Sequence, residues 1–179
     1  MGHGQAVTFY DPMNARPGRV APRGAIPVLD FHNHLAVSGD SFSVSHVWNT
    51  IANEASGDFL IRTGSSRAII QFSISMGSPS GDGGFILGLH EDPTIYSTGT
   101  EVPSVNRRRG DGKTLLSSFY HTTNCESGDV LWQSVMGLDQ REKTLWHLSP
   151  DTDYYVHVLN KAGAASLASI NLEVAEISY

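Results

Sequence analysis

The sequence predicts an all-β fold: an antiparallel β-sandwich of jelly-roll-like character with an extended N-terminal arm. Three observations predict it. Apolar residues recur at every second position in successive runs from Ile26 onward, clusters of turn-forming residues separate those runs, and the stretch before them holds proline and glycine with no such period. The reading is therefore an arm over 1–27 and a sandwich domain over 28–179.

In the arm, Pro12, Pro17, Pro22 and Pro27 fall among Gly2, Gly4, Gly18 and Gly24. Such punctuation removes amide donors and breaks any period of 2 or 3.6, so an extended or irregular path is expected, disordered in isolation. Beyond it the strands follow in order. Phe42, Val44 and His46 alternate with Ser41, Ser43 and Ser45. Ile70, Phe72, Ile74 and Met76 alternate with Gln71, Ser73 and Ser75. Tyr154, Val156 and Val158 oppose Tyr155, His157 and Leu159, and Ala168, Ile170, Leu172 and Val174 oppose Ser169, Asn171 and Glu173. Alternation of this kind puts one face of a sheet on a core and the other in water. Less regular strands are expected around 59–63, 84–90, 115–121, 129–135 and 143–148. Turn clusters stand at 77–84, 109–112 and 149–153. Only Val47–Ala55 has some helical character, and it is short. Eight to ten short strands spaced by turns indicate a sandwich or jelly roll.

Composition narrows the function. The net charge is −6, whereas a phosphate-binding surface needs clustered positive charge, so no nucleic-acid partner is expected. The charge is uneven: Arg16, Arg19 and Arg23 against Asp11 make the arm +2, which leaves the remainder of a −6 chain at −8. No apolar run approaches the ~18 residues of a membrane-spanning helix. Nor does the N-terminus have the layout of a signal peptide. The expectation is a protein made and used without crossing a membrane. Cys125 is the only cysteine, so an intrachain disulfide is impossible. Asn124–Gly128 reads as a polar turn holding an incidental thiol rather than a nucleophile.

Several motifs invite chemistry. His32-Asn33-His34 places two imidazoles on one side of a strand, as in metal-dependent amidohydrolases, but that fold needs a far longer chain with crossover helices. The remaining histidines show no metal-ligand spacing, and no nucleophile elbow or phosphate loop is present. No catalytic residue, cofactor or metal is therefore expected. Arg107-Arg108-Arg109 is the one dense basic cluster of the body. Its forked donors suit an acidic neighbour or an anion, and its bland alternative is a solvated hairpin tip. Arg109-Gly110-Asp111 also spells an integrin-binding triplet, which arises often by chance. Trp48, Trp132 and Trp146 suit either sugar stacking or core packing.

The segment Pro103-Ser104-Val105-Asn106-Arg107-Arg108-Arg109 resembles a widespread group of tailed-bacteriophage virion proteins, small β-sandwiches of the head decoration, or cement, type. The likeness extends to His34–Val44, to Asp58–Gly64, and to the closing hairpin from Leu148–Tyr155 through Asn160 to Ile170–Val174. It covers residues 32–176, the body without the arm. The chain departs from the usual pattern at Arg108, where the group has asparagine, and at Val174-Ala175, where it has an aromatic pair. The resemblance implies a non-enzymatic structural role on the virion capsid surface, assembled in the host cytoplasm. It further implies the major capsid protein as partner and a homo-oligomer, commonly a trimer. On that reading Phe9, Tyr10, Arg16, Arg19 and Arg23 of the arm are the expected anchors, because an extended arm covers much area per residue and can add to a neighbour's sheet. Arg107, Arg108 and Arg109 form a possible second contact. A tail or fibre adaptor of the virion and a carbohydrate-binding module are the alternative functions.

Overall fold

The computed structural model describes residues 10–11, 16–17, 38–77, 84–121, 124–126, 128–136 and 141–177. The chain divides into two units, Met1–His34 and Leu35–Tyr179. In the first unit β1 (Tyr10–Asp11) pairs antiparallel with β2 (Arg16–Pro17), Tyr10 opposite Pro17 and Asp11 opposite Arg16. These four residues are extended, in keeping with the extended or irregular path expected of the arm, and the ladder between them is an added detail. A two-rung ladder is too short to leave a period in the sequence, and Pro17 is tolerated because it ends the ladder.

The second unit is built from strands. They are β3 (Ser41–Ile51), β4 (Ser56–Arg62), β5 (Arg67–Gly77), β6 (Gly84–Glu91), β7 (Thr94–Ser97), β8 (Thr100–Glu101), β9 (Val105–Asn106), β10 (Ser118–His121), β11 (Asn124–Glu126), β12 (Asp129–Met136), β13 (Arg141–Leu148), β14 (Asp153–Lys161) and β15 (Ser166–Ile177). Two sheets face each other, one ordered β12-β6-β14-β4-β10-β8 and the other β13-β5-β15-β3-β9. The eight long strands divide four and four, as β4-β14-β6-β12 and β3-β15-β5-β13, with every pairing antiparallel. That is the wiring of a jelly roll. The excursion between β6 and β12 carries β7 to β11. It lengthens both sheets on the β3/β4 side, with β10 and β8 on one and β9 on the other.

Alternation decides what is buried. Phe42 and Val44 face the core while Ser43 and Ser45 face solvent, and Ile70, Phe72 and Ile74 interdigitate with Ile170, Leu172 and Val174. The other sheet contributes Phe59, Ile61, Phe85, Leu87, Leu89, Tyr154, Val156 and Val158, each at most 1% exposed. Burial of each such side chain is worth about 1.5–3 kcal/mol. Leu60 and Tyr155 sit on the opposite phase yet are also buried, with Cys125 and flanked by Ile95 and Tyr120. The small β7–β11 sheet supplies two of these neighbours.

Two local expectations are corrected. Val47–Ala55 is not helical: β3 runs to Ile51 and pairs with β15 along its length. Pairing of the neighbouring strand overrides a weak local preference in so short a segment. Asn124–Glu126 is a strand, not a turn, and it pairs with β7 across a bulge that leaves Cys125 buried. Three residues are too few to display a period.

Candidate partner-binding site

The loop from Val105 to Lys113 is held by hydrogen bonds that its own sequence specifies. β9 adds to the edge of β3, with Phe42 opposite Asn106 and Ser43 opposite Val105. Arg107 N–H then donates to the Ser41 carbonyl at 2.9 Å. Asn106 acts in both directions, donating to the Gly39 carbonyl at 3.0 Å and accepting from Arg108 N–H at 2.8 Å. The second of these bonds is the local side-chain-to-backbone turn that asparagine favours. Asp111 N–H donates to the Arg108 carbonyl at 3.2 Å, and Asp111 Oδ1 accepts from Lys113 N–H at 3.0 Å. Gly110 takes a φ of +85°, a conformation that glycine adopts without strain. Lys113 Nζ closes the loop onto Asp40 Oδ1 at 2.6 Å and the Ser38 carbonyl at 3.1 Å.

The three arginines consequently differ. Arg107 reaches back to form an ion pair with Glu173 on β15. Arg108 lies 3.7 Å from Asp111 Oδ2, with its side chain 57% exposed. Arg109 is exposed and makes no ion pair or hydrogen bond among the described residues. The loop thus presents Arg108 and Arg109 outward on a fixed backbone and uses Arg107 to fasten itself. Asp111 is turned into the loop with its side chain 15% exposed, so the Arg109-Gly110-Asp111 triplet does not offer its carboxylate to a receptor. Beside Arg107 an open groove of about 350 Å³ runs over the outer face of the five-stranded sheet, lined by Ser43, Ser45, Gln71, Ser73 and Asn171.

Of the arm residues, Tyr10 and Arg16 lie in the β1–β2 ladder, and Phe9, Arg19 and Arg23 lie outside the described residues, as do His32 and His34. Trp48, Trp132 and Trp146 are partly buried and pack against the core. Each therefore gives part of its surface to the sandwich.

The tertiary structure also gathers side chains that the sequence keeps apart. His46 on β3 stacks on His121 on β10 with centroids 3.9 Å apart, bridging the two sheets. His90 stacks on Tyr155 at 4.5 Å, and His157 Nδ1 lies 2.7 Å from Asp58 Oδ1. Burial lowers the pKa of His46, and the neighbouring His121 lowers it further. Burial likewise lowers that of His90, helped by the nearby His157. Sequence reading missed both groupings, since pairs some 70 residues apart leave no local signal. The one available hint was His46 on the apolar phase of its strand. No group of three or more His, Cys, Asp or Glu side chains among the described residues is placed to hold a metal ion. Two further polar contacts serve the fold. Tyr154 donates to Glu91 at 2.7 Å, and its pKa is raised first by burial and then by this bond. Arg62 grips Asp153 through two bonds of 2.8 and 3.1 Å.

No helix among the described residues is long and apolar enough to cross a membrane. No protein-family model matches the chain, and no curated protein matches it.

Proposed function

We propose that this chain is a viral structural protein, a decoration or cement protein that binds the outer surface of a tailed-phage head and stabilises it. The observation that carries the reading is the Val105–Lys113 loop. Its first part, Val105–Arg109, belongs to the segment on which the resemblance was first drawn, and the loop holds Arg108 and Arg109 outward on a backbone fixed by at least five hydrogen bonds. A preordered cationic loop loses little entropy on binding, which suits adhesion to an acidic seam between capsid subunits. The jelly roll is compatible with this role but does not select it, because capsid, lectin and enzyme domains share the fold. The basic arm is the second proposed contact, with Phe9, Tyr10, Arg16, Arg19 and Arg23 as anchors and the major capsid protein as partner. Ordering such an arm costs free energy, which many symmetric copies acting together offset.

The test is cosedimentation with purified heads. Arg108→Glu with Arg109→Glu should weaken binding by tenfold or more, roughly 1.4 kcal/mol per tenfold, while the thermal midpoint stays unchanged. Removal of residues 2–25 should abolish binding and leave a folded sandwich. Full affinity in both variants would sink the proposal.

The alternative of a carbohydrate-binding module loses ground because all three tryptophans pack against the core. A tail or fibre adaptor would use the same surfaces, and labelled particles seen by electron microscopy separate it from a head protein.

A further inference from the structure

A β-sheet edge with free N–H and C=O groups invites another strand, and proteins usually blunt such edges with short strands, charges or proline. The two large sheets have four edges. β8 and β9 contain only two residues each, and β13 opens with Arg141, Glu142 and Lys143. Among the described residues β12 is blunted only at its start, by Asp129 and by a bulge after Val130. It is eight residues long, without proline, and its only charge is Asp129 at its start. It also lies on the side of the sandwich away from β8, β9 and β10, where the excursion adds no further strand.

The side chains of β12 reinforce this. Val135 is 75% exposed, the most of the large apolar side chains among the described residues, with Val130 at 55% and Leu131 at 36%. The register shifts between Val130 and Trp132, so Leu131 is an extra residue against β6. That bulge breaks the alternation and leaves Val130 and Leu131 both exposed instead of burying one of them. Trp132 packs against the core and Met136 lies within it, so the strand is firmly seated while its outer side is apolar.

We propose that β12 is a homotypic interface, pairing antiparallel with β12 of a second copy about a two-fold axis at Gln133. The strand is self-complementary in that register. Leu131 falls opposite the second copy's Val135, and Val135 opposite the second copy's Leu131. The two Gln133 amides meet at the axis, where each can donate to and accept from the other. The two Asp129 carboxylates fall at opposite ends of the seam, so no like charges face each other. A second copy fits better than a charged partner, because residues 130–136 carry no charge with which to recognise one. Pairing joins two six-stranded sheets into one continuous sheet and, being two-fold, removes the open edge from both copies. The interface requires no capsid and does not rest on the capsid reading, whose implied trimer is a different assembly that the mass measurement separates from this one.

The experiment measures mass in solution by sedimentation equilibrium over a range of concentrations, on the full chain. The wild type should approach twice the monomer mass. Val135→Lys, at a site too exposed to be needed for folding, should raise the dimer dissociation constant by about tenfold or more. Independently, Gln133→Cys should form an interchain disulfide under mild oxidation, while the wild type, whose Cys125 is buried, should not. A monomeric wild type, a trimer, or a dimer indifferent to Val135→Lys that fails to crosslink through Gln133→Cys would each overturn the proposal. So would a wild type that is monomeric alone and uses β12 only to take up a strand from another protein.

Discussion

Asn160 is fully buried at the end of β14, and its replacement by alanine provides the sharpest test of how this sandwich is held together. Its Nδ2 donates to the Ile51 carbonyl at 2.8 Å and to the Ala164 carbonyl at 2.8 Å, and its Oδ1 accepts from Ala162 N–H at 2.8 Å. One side chain therefore ties the β14–β15 turn to the end of β3. Its backbone completes the join, donating to the Ala55 carbonyl and accepting from Glu54 N–H, both at 2.9 Å. Alanine removes the three side-chain bonds and keeps the two backbone ones. The Ala164 carbonyl retains Ser166 Oγ at 3.2 Å, so the severe losses are at Ala162 N–H and the Ile51 carbonyl. At about 1–3 kcal/mol for each of these two buried groups left without a partner, the total comes to roughly 2–6 kcal/mol. That is a large share of the ~5–15 kcal/mol that holds a domain folded. With a slope of about 2 kcal/mol per molar urea, denaturation should show a midpoint lowered by about 1–3 M and an unchanged slope. Asn160→Asp, which keeps the acceptor but loses both donors and buries a charge, should cost at least as much. If Asn160→Ala costs less than about 1 kcal/mol, the assignment of this residue as the clasp between the two turns is wrong.

Other perturbations follow from the same geometry. The Thr63 hydroxyl accepts from Thr152 N–H at 2.9 Å and lies 2.8 Å from the Ser149 carbonyl and 2.9 Å from that of Thr152; Thr63→Val should destabilise by about 1–3 kcal/mol in the same urea assay. Gly128 has a φ of +95°, and a Cβ there would stand 2.6 Å from the Glu91 carbonyl oxygen; Gly128→Ala should lower the thermal midpoint, at a cost of about 1–3 kcal/mol. His46 and His90 are held neutral below their ordinary pKa of about 6.5. The unfolded chain takes up those protons first, so stability is full above about pH 6.5 and declines as pH falls from there toward the lowered folded values. Denaturation measured between about pH 7.5 and 5.5 should show that decline, and His46→Gln should reduce it; an equal decline in the variant would exclude His46 as a cause.

The legibility of the fold varied by segment for physical reasons. β5 and β15 were plain because each is long and in contact with the core on one face only, which writes alternation directly into Ile70-Gln71-Phe72 and Ile170-Asn171-Leu172. Tyr155 broke the pattern because a second, smaller sheet covers the outer face there, and a covering made by residues 94–97 and 124–126 leaves no trace at position 155. β7, β8, β9 and β11 span two to four residues, less than is needed to show a period. The arginine triplet was visible as charge, yet the division of labour between Arg107 and Arg109 depends on Glu173, 66 positions away from Arg107.

By itself the sequence determined the strand-rich class, the sandwich faces of the long strands, the acidic body with a basic arm, and the absence of any intrachain disulfide. All of these are properties of composition or of local alternation, in which each residue reports its own exposure. Only the tertiary structure decided the jelly-roll order, the stacking of His46 on His121, the clasp at Asn160 and the open edge at β12. Each depends on which distant strand lies alongside, and strand pairing is a long-range choice made by the whole core at once rather than by any one segment.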